Sequence, residues 1–278
     1  MDPLYDKVCS KASEYTTKQY STSFSLGTRF LAKRFQEPVY NIYGFVRFAD
    51  EIVDTFLEHD RERLLLKFRM DVRDAVQDRI SLNPILHSFQ RVYHQFGLTW
   101  DLVDTFLNSM EMDLEEHVYD QKSYDEYILG SAEVVGLMCL RVFVEGDNEK
   151  YEELKPRAMK LGAAFQKINF LRDLHDDNAE LGRVYFPGLD LTQFDVDAKR
   201  RIEREIEADF AEGYLGIIGL PKDSRFGVFV AYKYYANLLQ KIRKLPPSTI
   251  MGQRVRIPNA IKYVLFMKCY VQHRFNLY

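Results

Sequence analysis

Apolar residues recur at three- and four-residue intervals over most of this chain, the period of amphipathic α-helices. The pattern predicts helices near 5–20, 38–57, 60–79, 82–96, 99–118, 123–145, 150–178, 195–214, 224–244 and 258–275. The prolines fall mostly at the ends of these segments (Pro3, Pro38, Pro84, Pro156, Pro187, Pro221, Pro246, Pro247 and Pro258), where a missing N–H starts or stops a helix. Few stretches alternate as strands do. No solenoid-type repeat and no low-complexity linker divides the chain. It therefore reads as a single all-α domain over 1–278. One connection differs in character. Residues 178–193, NAELGRVYFPGLDLTQ, mix glycine, proline, charge and aromatics, and are placed to close over a site at the end of the preceding helix.

Composition narrows this picture. The 278 residues carry a net charge of −3, which argues against a general nucleic-acid binder. An anionic ligand stays open, because a bound cation reverses the local field. The 20 Phe and 18 Tyr serve either a core or an apolar ligand tunnel, and composition does not separate the two. Cys9, Cys139 and Cys269 are far apart and read as reduced thiols of a cytoplasmic protein. The N-terminus has no apolar signal-peptide core. The most apolar window, 127–144, contains Glu133 and Arg141, so no transmembrane helix is expected.

The candidate chemistry lies on two helices. In YGFVRFADEIVD, Tyr43, Arg47, Asp50 and Asp54 fall within an arc of roughly 60° on one helical face. In GAAFQKINFLRDLHDD, Gln166, Asn169, Asp173 and Asp177 fall within roughly 80°, with Gly162 on the same side leaving space above the backbone. Carboxylates at i and i+4 repel unless a cation joins them. A single such pair usually marks a solvated face. Two pairs in matching register, each in apolar surroundings with an arginine nearby (Arg47, Arg172), are a different matter. If the helices face each other, four carboxylates converge, and hard oxygen donors of this kind suit Mg²⁺ together with substrate phosphates.

These residues resemble the squalene/phytoene synthase family of head-to-head prenyl synthases. The resemblance runs from about Tyr20 to the C-terminal segment, through YSTSFSLGTRFL, YGFVRFADEIVD, YILGSAEVVGLM, FQKINFLRDLHDD and GRVYFP. It implies an isoprenoid-synthase-type helical bundle with a central active-site cavity. The implied reaction joins two prenyl diphosphates through a cyclopropyl diphosphate. Carried over, Asp50, Asp54, Asp173 and Asp177 are diphosphate–metal ligands, and Asn169 is a further metal ligand. Ser21, Ser23 and Phe24 match the flap over the substrate. Arg47, with Arg172, matches a diphosphate contact. Tyr127 and Gln166 match polar groups at the reacting centre, Tyr43 an aromatic beside it, and Arg183 and Tyr185 the closing loop. The segment 134–143 either lines the isoprenoid tunnel or packs as core. Two departures exist. The chain between Asp177 and Arg183 is one residue longer than in typical relatives. KLPPSTIMGQRVRIP also lacks the tyrosine that many relatives carry there.

The loop and length point to geranylgeranyl diphosphate and phytoene. A farnesyl diphosphate enzyme of the dehydrosqualene or squalene type is the alternative, and a non-catalytic binding or assembly protein a third reading. The third predicts eroded aspartates, whereas all four are present. Mg²⁺, or Mn²⁺ in its place, is the expected cofactor, without NADPH. No membrane-anchoring C-terminus of the squalene synthase kind is expected. A monomer or weak dimer is expected in the cytoplasm, touching membranes peripherally because its product is apolar.

Overall fold

The computed structural model describes residues 2–114, 119–258, Leu265 and Cys269. Helices α1 (Pro3–Tyr20), α2 (Thr22–Arg29), α3 (Lys33–Asp54), α4 (Arg61–Asp78), α5 (Pro84–Phe96) and α6 (Trp100–Met112) form the first half. Then follow α7 (Gln121–Ile128), α8 (Val134–Phe143), α9 (Asn148–Leu181), α10 (Val196–Gly219), α11 (Lys222–Arg243) and the short α12 (Pro247–Ile250). Among the described residues there is no β-strand.

Several ends differ from the sequence expectation. α3 begins at Lys33 and carries Pro38 inside it. α2 falls between the expected helices 5–20 and 38–57. Ser21 starts it by accepting a hydrogen bond from the Phe24 N–H, which satisfies one orphan donor of the first turn. α9 continues past 178 to Leu181 and stops at Gly182, whose φ of 65° suits glycine. The helix expected over 258–275 lies almost wholly outside the described residues.

Between α7 and α8 the helix runs on through one π-helical stretch, Leu129–Glu133. Two glycines let neighbours approach it. A Cβ on Gly130 would stand 2.7 Å from the Thr105 carbonyl oxygen of α6, and one on Gly162 would stand 2.8 Å from the Ala132 carbonyl oxygen. Gly162, expected to leave space above the backbone, both admits the Ala132 carbonyl and lines the cavity described below.

Two apolar clusters hold the bundle. In the first, Phe45 of α3 stacks on Phe89 of α5 at 4.1 Å and meets Phe106 of α6 edge-on at 5.2 Å. The second joins α9, α10 and α11 around Ile168, Phe170, Ile206 and Leu238. Such aromatic pairs add roughly 0.5–1.5 kcal/mol each beyond area burial. A cavity opens between the two clusters. Cys9, Cys139 and Cys269 are free thiols, and no described helix is long and apolar enough to cross a membrane.

Candidate active site

The cavity has a volume of about 400 Å³ and is walled mainly by apolar side chains. α3 contributes Tyr43, Arg47 and Asp50, while α9 contributes Phe165, Gln166 and Asn169. Ser23 and Phe24 of α2 and Tyr127 of α7 complete the polar and aromatic part. Phe24 stacks on Tyr43 with ring centroids 4.6 Å apart. Away from the aspartates the walls are Leu31, Phe143, Leu154, Ile217 and Leu220. α8 divides its labour: Val135, Gly136, Cys139 and Leu140 face the cavity, while Val134, Leu137, Met138 and Val142 sit in the core. One face of this helix thus lines the cavity and the other packs as core.

Asp54, Asp173, Asp177, Arg172 and Arg183 do not line the cavity. The three aspartates continue the α3 and α9 stripes beyond Asp50 and Asn169, with the two arginines beside them. Arg47 pairs with Asp50 and with Glu51. Arg183 Nη1 reaches Asp54 Oδ1 at 2.7 Å. Asp173 is held by Arg172 Nε at 2.8 Å and by Arg254 Nε at 2.7 Å. Arg254 belongs to the stretch that lacks the expected tyrosine. Ser21 remains a helix cap, and Tyr185 is buried, stacked on Phe170 at 4.1 Å.

The four aspartates do not close into one cluster. Among the described residues no three Asp, Glu, His or Cys side chains stand close enough to share one ion. They do feel one another. Burial, then the Asp54 charge, pushes the Asp50 carboxyl up to about 7 against the pull of Arg47 and Arg183. Burial, then Asp173 and Asp54, pushes Asp177 up to about 8. An effect of Asp54 on Asp177 means that the α3 and α9 stripes share one electrostatic field. Asn169 adds a neutral donor, since its Oδ1 is buried and has no hydrogen-bond partner. Hard oxygens in surroundings that disfavour bare negative charge are chemically suited to a divalent cation that also has substrate phosphates as ligands.

Sequence reasoning missed Asp113. This buried carboxylate follows α6, and burial pushes it up to about 7 despite Arg183. It accepts from Tyr127 Oη at 2.6 Å and from Tyr185 Oη at 3.3 Å. A signal existed: Asp113 continues the buried stripe Val103, Phe106, Met110 at helical spacing, where an acid is out of place.

The fold is that of the isoprenoid synthases of the squalene synthase type. The chain belongs to the squalene/phytoene synthase family of head-to-head prenyltransferases, whose family model matches residues 17–260. It is 27% identical to a 15-cis-phytoene synthase from a Paracoccus species, over 88% of this chain and 85% of that protein. It is 30% identical to a presqualene diphosphate synthase from Rhodopseudomonas palustris, over 60% of this chain and 58% of that protein. Among solved structures, a dehydrosqualene synthase in complex with a ligand superposes with a TM-score of 0.82 at 21% identity, covering 100% of both chains. Squalene synthase HpnC from Alicyclobacillus acidocaldarius superposes with a TM-score of 0.75 at 23% identity, covering 87% of this chain and 96% of the other. These structural likenesses concern the fold.

Proposed function

We propose that this protein condenses two geranylgeranyl diphosphates head-to-head, through a cyclopropyl diphosphate, to phytoene with release of diphosphate. The observation that carries the reading is the cavity itself, apolar in its depth and edged by Asp50, Asn169 and Arg47 where α3 and α9 approach. An allylic diphosphate is amphipathic in the same way. Its tail needs a dry wall, and its head needs cations and hydrogen-bond donors.

Asp50, Asp54, Asp173, Asp177 and Asn169 are the residues that would hold Mg²⁺ or Mn²⁺. When bound, such an ion supplies Lewis-acid stabilisation of the leaving diphosphate and a template for its orientation. The protein's own groups do the rest. Arg47 and Arg172 stand beside the carboxylates and add positive charge at the diphosphate end. Phe24 stacked on Tyr43 presents aromatic faces to a passing carbocation. Tyr127 and Gln166 edge the reacting centre. The walls of α2, α8 and α10 exclude water that would quench the cation. Neither NADPH nor a hydride step belongs to this reaction. An apolar product favours loose membrane contact of the monomer or weak dimer.

Phytoene synthases that match over most of this chain support the C20 substrate. The alternative is farnesyl diphosphate, favoured by the presqualene diphosphate synthases among the relatives. Incubation with each prenyl diphosphate, with and without NADPH, followed by mass analysis of products decides between them. Absence of Mg²⁺-dependent diphosphate release from both substrates would sink the enzymatic reading.

A further inference from the structure

Arg183 has one guanidinium nitrogen between two carboxylates. Nη1 lies 2.7 Å from Asp54 Oδ1 and 3.4 Å from Asp113 Oδ1. Nη2 donates to two main-chain oxygens, Asp113 at 2.7 Å and Val53 at 3.4 Å. These carbonyls belong to the ends of α6 and α3, so the guanidinium is fixed in place and cannot follow one carboxylate away from the other. Asp113 is fixed as well, by the Tyr127 and Tyr185 hydroxyls. It does not line the cavity, so it reaches the reaction only through its neighbours.

A cation shared by two anions binds each less completely than a cation held by one. Remove the charge on Asp113, and Asp54 becomes the sole counter-ion of a buried arginine. Any metal drawn to Asp54 must then compete with a full ion pair. We propose that Asp113 is a positioning residue that takes part of the Arg183 charge and so keeps Asp54 available to a divalent cation. The proposal rests on the reading of Asp54 as a metal ligand.

The test uses the full-length protein, Mn²⁺ and inorganic diphosphate, with the free-Mn²⁺ electron paramagnetic resonance signal as the readout, so that no turnover is needed. Asp113→Asn should weaken Mn²⁺ binding about tenfold, the lower end of what loss of an outer-shell partner costs. Added to Arg183→Gln, the same substitution should change affinity less than about twofold, because the competitor is gone. A purely structural Asp113 would weaken binding equally in both backgrounds, and that result overturns the proposal. Equal Mn²⁺ affinity of wild type and Asp113→Asn overturns it too, while leaving the prenyl-transfer reading intact. Lack of saturable Mn²⁺ binding by the wild type overturns both. If circular dichroism shows Asp113→Asn to be unfolded, Asp113→Ser, neutral and smaller, carries the same expectation. In turnover, excess Mg²⁺ should restore Asp113→Asn towards the wild-type kcat with substrate KM little changed.

Discussion

On α3 each aspartate meets a different arginine, which it shares with a second acid. Arg47 reaches Asp50 from one turn back, and Arg183 arrives from 129 residues away to hold Asp54. On α9 the arginines gather on a single residue. Arg172 and Arg254 both hold Asp173, and the Asp177 carboxylate has no cation bound to it among the described residues. Two stripes of equal spacing thus leave their uncompensated charge in different places. Spacing decides which side chains share a face. Partners from elsewhere in the fold decide which of them still need a cation.

The largest expected effect tests whether the difference matters to chemistry. Asp50→Asn and Asp177→Asn should each lower diphosphate release by about 10²–10³-fold or more, the scale of losing a principal electrostatic contact in the transition state. Steady-state rates check this, and an Asp177→Asn enzyme within tenfold of wild type would remove that residue from the metal site.

Next in size is a stability effect confined to the α3 side. Arg183→Met leaves Asp113 and Asp54 without their cation, at a cost of about 3–5 kcal/mol for an opened buried pair. With Arg183 present the Asp113 carboxyl stands at about 7, and without that cation it keeps its proton to higher pH. The loss relative to wild type, read from urea unfolding, should therefore grow as the pH rises above about 7.

A smaller effect concerns the resting protein. Asp50 and Asp177 hold their protons to about 7 and about 8 when folded, but ordinary carboxylates release them near 4. Between those limits the folded state binds more protons than the unfolded state, so stability must fall as pH rises. The thermal midpoint of the ligand-free protein should drop between about pH 5 and pH 8. Asp177→Asn should flatten that slope. Asp173→Asn should instead lower the midpoint throughout, since it strands Arg172 and Arg254. If both variants behave alike, the contrast between the two aspartates of α9 is wrong.

The smallest effect contrasts the rings. Phe24 stacks on Tyr43 of α3, and Phe165 of α9 stacks on Tyr235 of α11 at 4.2 Å. Losing an exposed-site cation–π contact costs about 0.5–1 kcal/mol, so Phe24→Ala should slow turnover a few-fold. Its thermal midpoint should move less than that of Phe165→Ala. An unchanged rate in Phe24→Ala would count against a flap role.

What the sequence made legible follows from periodicity. Helices α4, α5, α10 and α11 have strong apolar stripes, and the α3 and α9 faces could be read from spacing alone. α2 escaped because its eight residues, TSFSLGTR, carry few apolar positions and depend on the Ser21 cap. The start of α3 was misplaced because Pro38 looks like a boundary, yet tertiary packing holds it inside a helix. Arg254 and Asp113 escaped for a different reason. The buried stripe of α6 marks Asp113 as an acid out of place, but each acts on a residue distant in the chain (Arg254 on Asp173, 81 residues away), and no local pattern names such a partner.

The π-helical stretch at Leu129–Glu133 works as a built-in phase shift. A π turn holds one residue more than an α turn, and each residue advances a helix by roughly 100°. Tyr127 before it, bonded to Asp113, and Val135 and Cys139 after it can therefore face the same cavity. A plain α-helix through the same segment would turn one of those two sets away. A single-residue deletion there would act like a twist on a camshaft, re-timing the tunnel wall against the charged end without altering a side chain in either.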